Sequence, residues 1–355
     1  MAQPSLTRIA YQTLQQGKGL VGLAHKGIST KLMELLIPEA IPETSPITTD
    51  LLLELRDSAK SLEEIDWLEA ERGLYPKNLL FDVPWIEWFF KYPLVWLDMP
   101  STWKRRKKKH FQDLPKTINK ENYPDYYLQN FHHQTDGYLS DHSAELYDMQ
   151  VEILFNGTAD AMRRRVISPL KEGLELGFSS NNFANYKVLD IATGTGRTLK
   201  QIRSAIPEIE LVGLDLSTSY LKQASKYLNN YQKSELVQLV KGNAERMPLL
   251  DNSFHAITCV FLFHELPSKA RQNVLKECFR VLKPNGSLIL ADSIQINDSP
   301  QFTQVMENFY RIFHEPYYRN YIKDDINLRL TDSGFVSIKA NSFFMTRIWS
   351  ATKPS

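Results

Sequence analysis

The residues best suited to chemistry lie in VLDIATGTGR, positions 188–197, where an apolar run carries Asp190 and then Ala192, Gly194 and Gly196 alternate with other residues ahead of Arg197. Small residues at alternate positions after a strand let the backbone turn tightly and approach a ligand closely. Nucleotide cofactors are the ligands that need such a loop. A second acid, Asp215, closes the next apolar run, IELVGLD, 25 residues after Asp190. An ionised carboxylate placed there can accept two neighbouring hydroxyls in a bidentate pair.

Two common nucleotide loops do not match. A phosphate-cradling loop needs G-x-x-x-x-G-K-[ST], a string this chain lacks. A dinucleotide fingerprint needs glycine three positions after Gly196, where Leu199 stands. That missing glycine speaks against a nicotinamide-dependent oxidoreductase, although such an enzyme would use the same crevice.

The elements that must position these residues follow an α/β pattern from about residue 183 onward. Short β-branched runs at 186–192, 209–215, 236–242, 255–263 and 287–293 alternate with helical stretches at 197–206, 217–229 and 268–282. Ser217 is placed to cap the second helix, and Pro284 and Gly286 are expected to close the third. An aromatic helical stretch spans 301–322. GFVSIKA and NSFFMTRIWSATK then give two strands too close for a crossover helix, so they are expected to pair antiparallel at the end of a mostly parallel sheet.

In this order and on these elements, the motifs resemble the class I S-adenosylmethionine-dependent methyltransferases over roughly residues 138–350. The resemblance implies a Rossmann-like seven-stranded sheet, mostly parallel with a terminal antiparallel hairpin, and S-adenosylmethionine as cofactor. It places Gly194 and Gly196 in the contact loop, Asp190 near the cationic methionyl end, and Asp215 with its neighbour Leu216 at the ribose. Ala192 stands where glycine is commoner in the family, which implies a slightly wider loop. GNAERMPLLDNSFHAI (242–257) resembles the third-strand segment of the family, with Asn243 and Ala244 at the adenine edge and Met247 against the ring. FRVLKPNGSLIL (279–290) resembles its helix-to-strand-five signature.

The nearest resemblance is to the ubiquinone and menaquinone biosynthesis methyltransferases and their small-molecule relatives. ELYDMQVEILFNGTADAMRRR (145–165) looks like their helix before the domain, and by that analogy Tyr147 closes over the cofactor. A core tyrosine is the competing reading. The end of strand four faces the transferable methyl in this family and here reads FLFHELP, which makes His264 the candidate base for an oxygen or ring-carbon nucleophile. Alternatively His264 packs against, or caps, the following helix. A zinc role for His264 and Glu265 would require histidine at 268, where Ser268 stands. The Asn/Asp-Pro-Pro-aromatic string of amino-group methyltransferases is absent, which favours O- or C-methylation of a small apolar or aromatic, quinol-like acceptor. The rival from another class is a non-catalytic scaffold or assembly protein that keeps the cofactor fold, possibly docked on a membrane.

Residues 1–137 read as a separate helical and aromatic region that caps or docks the methyltransferase domain at 138–355. FDVPWIEWFFKYPLVWLDMPSTW (81–103) is rich in Trp and Phe, and six consecutive cations, Lys104 to Lys109, follow it. That combination suits peripheral contact with an anionic bilayer. The competing reading is a small aromatic core beside a solvated cationic face, because Pro84, Pro93 and Pro100 interrupt any regular stripe. His132, His133 and His142 read as surface or lid residues rather than ligands.

Composition bounds the rest. With 355 residues, 43% hydrophobic and 23% charged, the chain is expected to be globular. A net charge of +1 gives no general call for nucleic acid. Cys259 and Cys278 read as reduced core residues of an intracellular protein, cytoplasmic or peripherally membrane-associated. The acid-free stretch 1–33 leaves organellar import as the less favoured alternative.

Overall fold

The computed structural model describes residues 5–178, 183–229, 235 and 237–355. The chain divides into two compact units: residues up to 162 together with Arg311–His314, and Arg163–Tyr310 together with Glu315–Ser355. The boundary read from the sequence, between 137 and 138, falls inside the first unit.

The first unit is helical. Its elements are α1 (Leu6–Leu36), α2 (Thr49–Glu71), α3 (Trp85–Lys108), α4 (Asp141–Leu154) and the start of α5 (Ala159–Arg164). Hydroxyl caps begin three of them: Ser5, Thr48 and Ser140 accept from the backbone N–H groups of Arg8, Leu51 and Ser143 at 3.3, 3.2 and 3.1 Å. Buried Asp66 ties α2 to its surroundings by accepting from the hydroxyls of Tyr11 and Tyr75 at 2.8 and 2.7 Å.

Pro93 and Pro100 do not break α3, contrary to the sequence reading. Each proline removes one backbone donor, but the inward face of the helix is held by packing, which overrides the local preference. Val95 packs with Leu146 and Met149 of α4, and Trp103 with Met33 and Ala40.

The second unit carries α6 (Ile167–Gly177), β1 (Lys187–Ile191), α7 (Arg197–Ala205), β2 (Glu210–Asp215), α8 (Thr218–Asn229), β3 (Val237–Lys241), β4 (Phe254–Val260), α9 (Ser268–Val281) and β5 (Leu282–Ser293). The chain continues through α10 (Thr303–Ile312), which ends in the first unit, then α11 (Tyr318–Tyr321), α12 (Ile326–Asp332), β6 (Val336–Phe343) and β7 (Thr346–Thr352). The seven strands form one sheet in the order β3-β2-β1-β4-β5-β7-β6. All pairings are parallel except β5 with β7 and β7 with β6. The expected terminal antiparallel hairpin is therefore present, with its turn at 344–345, inside the run NSFFMTRIWSATK that the sequence reading took as one strand.

Strands β1, β2 and β4 are buried almost throughout, as in parallel sheets covered on both faces. Cys259 and Cys278 are free and buried within this core. Ser217 caps α8, accepting from the Tyr220 N–H at 3.3 Å. Two expectations fail in detail. Pro284 and Gly286 do not form a separate turn after α9, because β5 begins at Leu282 and absorbs them beside a register shift opposite Phe254 and Ala256. The 301–322 stretch is two helices rather than one.

Candidate active site

In an open parallel sheet, ligands bind outside the carboxyl ends of the strands, where the strand order reverses. Here that point lies between β1 and β4, and the chemically interesting residues gather along this edge. Asp190 is almost fully buried near the end of β1. Its two carboxylate oxygens accept from the Thr193 and Thr258 hydroxyls at 2.7 and 2.6 Å. Burial pushes its pKa up to about 6 against the opposing pull of those two hydrogen bonds. Both oxygens are thus turned toward protein donors, which makes Asp190 an organiser of the loop.

The loop after β1 repeats one conformation at every second residue. Ala192, Gly194 and Gly196 have φ of +54°, +55° and +82°. Ala192, which stands where the family more often has glycine, keeps a positive φ. It takes the left-handed conformation glycine would take, at a steric cost of roughly 1 kcal/mol. The two glycines serve different ends. A Cβ on Gly194 would meet nothing closer than 4.0 Å, so that side of the loop lies open. A Cβ on Gly196 would lie 3.2 Å from both the Ala224 Cβ and the Leu228 Cδ1 of α8, so this glycine permits helix packing.

Asp215 at the end of β2 faces the same loop. Its Oδ2 accepts the Gly194 N–H at 2.8 Å and its Oδ1 accepts the Ser217 N–H at 2.8 Å. Burial raises its pKa to about 6, opposed by these hydrogen bonds and assisted by the charge of Glu265. Leu216 beside it is half-buried. Past β3, the Asn243 Oδ1 accepts the Glu245 N–H at 2.8 Å, forming a local turn in which Asn243 and Ala244 are partly exposed. Met247 is buried, with its N–H donating to Glu277 at 2.7 Å.

His264 follows β4 in a short turn spanning Phe263–Glu265. Its Nδ1 lies 2.7 Å from Oδ1 of fully buried Asp292, which ends β5 with Ser293. The other Asp292 oxygen accepts the Phe263 N–H at 2.6 Å. Burial alone would lower the His264 pKa, but the adjacent Asp292 carboxylate, with Glu265 and Glu315, raises it to about 9. The raised value favours the imidazolium at pH 7, whereas the sequence reading offered His264 as a base on its near-neutral reference value. Its Nε2 lies 4.0 Å from Glu265 Oε1, and the rings of Tyr318 and Tyr321 meet it edge-on at 6.1 and 6.3 Å.

Asp190, Ala192, Gly194, Gly196, Asp215, Leu216, Asn243, Ala244 and His264 all belong to the second unit. Tyr147 lies on α4 of the first unit, half-buried and edge-on to Tyr138 at 6.0 Å. Of the three-histidine cluster, His142 is exposed, while His133 is buried with its pKa lowered to about 3 by burial and nearby cations. Sequence reasoning missed Thr193, Thr258 and Asp292, and weighed Glu265 only as a zinc partner of His264. Of these, Asp292 had a legible signal: the run SLILADS carries an acid one residue before its end, much as IELVGLD closes on one.

The arrangement is electronegative, with Asp190, Asp215, Glu265 and Asp292 along one strand edge and the imidazolium of His264 among them. The Gly194 amide donates to a carboxylate and so is not offered to a phosphate. Such a crevice favours a cationic ligand and repels a pyrophosphate.

The chain is similar to known methyltransferases. The family described as a methyltransferase domain matches residues 188–286. A demethylmenaquinone methyltransferase of Thermotoga maritima is 34% identical over 172 residues, covering 48% of this chain and 67% of the relative. One from Lactiplantibacillus plantarum is 31% identical over 194 residues, covering 52% of this chain and 76% of the relative. Among solved structures, human N-acetylserotonin methyltransferase in complex with its methyl donor aligns at 16% identity over 60% of this chain and 59% of that one, with a TM-score of 0.40.

Proposed function

This chain belongs to the class I S-adenosylmethionine-dependent methyltransferases, and on that premise we propose that it methylates a small aromatic acceptor of the quinol type at a ring carbon or phenolic oxygen. Its cofactor, S-adenosylmethionine, supplies an electrophilic methyl on a sulfonium centre. The observation that carries the cofactor assignment is the Asp215 carboxylate closed onto the Gly194 amide at 2.8 Å, which turns a nucleotide loop into one suited to a cation.

Asp215 retains acceptor capacity beyond the two N–H groups it holds, since a carboxylate offers about four lone-pair sites. We assign it the ribose hydroxyls, with Leu216 beside it. Ala192, Gly194 and Gly196 shape the contact loop, and the open side of Gly194 is where the methionyl part approaches. Asp190 acts by holding Thr193 and by its charge. Asn243 and Ala244 are assigned the adenine edge.

Methyl transfer is an in-line displacement, so alignment supplies much of the rate. His264, fixed through Nδ1 by Asp292, presents an N–H at Nε2. As an imidazolium it favours a phenolic acceptor in its phenolate form, which is the more nucleophilic at both oxygen and ring carbon. The names of the two bacterial relatives support a quinone-derived acceptor.

The test is incubation of the full chain with S-adenosylmethionine and a reduced, short-chain demethylated naphthoquinol, with products read by mass. Addition of one methyl, matched by formation of the demethylated cofactor, is the expected result. Cofactor binding without methylation of any such quinol would overturn the acceptor class and leave the family standing.

A further inference from the structure

The outward face of α3 is apolar at one end and cationic at the other. Ile86, Phe89, Phe90 and Leu97 are 79, 77, 73 and 74% exposed. At 3.6 residues per turn these positions share one side of the helix. Lys104 and Lys108 continue the same side toward its C-terminus, and both are exposed, as is the adjoining Lys109. The opposite side carries Val95 and Trp103 into the packing described above. Arg105 and Arg106 turn inward, Arg105 to the His133 carbonyl at 3.0 Å and Arg106 to the Ala40 carbonyl at 3.4 Å. Lys107 pairs with Glu39 at 3.0 Å. The six-cation run is therefore sorted: part of it builds the unit, and part faces outward in line with the phenylalanines.

We propose that this face of α3 docks on an anionic lipid surface, with Ile86, Phe89, Phe90 and Leu97 entering the headgroup boundary and Lys104, Lys108 and Lys109 pairing with lipid phosphates. Large exposed apolar side chains in a row call for a cover. The cations that continue the row select an anionic one, and the pairing of apolar and basic residues on a surface helix matches interfacial binding. No helix among the described residues is long and apolar enough to cross a membrane, so the contact is peripheral. Pro93 and Pro100 leave the stripe intact because α3 stays helical through both. The proposal does not depend on the acceptor assigned above.

The test is co-sedimentation of the full chain with vesicles of phosphatidylcholine alone and of phosphatidylcholine mixed with phosphatidylglycerol. The mixed vesicles should bind more tightly, and the binding should weaken as salt rises. K104E/K108E should weaken binding by at least about tenfold, given that each basic residue near the surface contributes several-fold. F89S/F90S should abolish it with the thermal midpoint unchanged, and I86S/L97S provides a second test should that variant fail to fold. Equal binding to both vesicle types, binding indifferent to these variants, or no sedimentation at all would overturn the proposal. So would a concentration-dependent dimer of the wild-type chain that F89S/F90S dissociates, since a second copy would then cover the face.

Discussion

Asp292 joins two strand ends through one carboxylate: one oxygen lies 2.7 Å from His264 Nδ1 and the other accepts the Phe263 N–H at 2.6 Å. The same residue thus fixes the turn after β4 and sets the charge of the histidine that the turn presents. Removing that carboxylate should change both properties while leaving the sheet intact.

The first consequence concerns pH. The His264 pKa is raised to about 9 in the folded protein, against an ordinary value of about 6.5. Its contribution to stability is fully present below about pH 6.5 and is lost as pH rises through about 9. The difference corresponds to something on the order of 3 kcal/mol. Urea unfolding at several pH values should show this decline in the wild type and a much flatter profile in Asp292→Asn. Direct titration of the His264 ring by NMR should show its pKa falling below 7 in that variant.

His264→Ala should lower turnover more than it lowers cofactor affinity. Turnover of the wild type should fall as pH rises through about 9, where the imidazolium is lost, and the alanine variant should lack that limb. Equal losses in turnover and cofactor affinity would return His264 to a packing role.

Gly194 and Gly196 should respond oppositely to alanine. Gly194→Ala has room for its Cβ, and its φ is one that Ala192 already tolerates, so the fold should lose only about 1 kcal/mol while cofactor binding falls steeply. Gly196→Ala presses on α8 and should cost more in stability, by about 1–3 kcal/mol. Ala192→Gly should stabilise by a few tenths to roughly 1 kcal/mol, because relief of the left-handed strain outweighs the added chain entropy. Thermal melts and cofactor titration of the three variants separate these effects.

The sequence made the sheet legible because its signal is local. β1 and β2 are short buried apolar runs with an acid at or next to their ends, β4 is a longer apolar run, and the last two strands lie too close in sequence for a crossover helix and so pair antiparallel. What it hid depends on side chains meeting across the fold. Nothing in FLFHELP reveals that Asp292 lies against His264, so the carboxylate that raises its pKa could not be read from the sequence. Nothing around Asp190 reveals that Thr193 and Thr258 occupy both its oxygens. The prolines of α3 misled for a related reason: their local cost is real, but packing of Val95 and Trp103 decides the outcome.

The central claim is that Asp215, closed onto the Gly194 amide, makes this crevice a site for S-adenosylmethionine. Calorimetric titration of the wild type and of Asp215→Ala with S-adenosylmethionine, its demethylated product and NADH in parallel tests it most directly. The wild type should bind the first two and not NADH. Asp215→Ala should lose both while remaining folded, at a stability cost of about 1–3 kcal/mol for each buried backbone amide left without its acceptor. Unchanged affinity in Asp215→Ala, or binding of NADH in preference to S-adenosylmethionine, would contradict it.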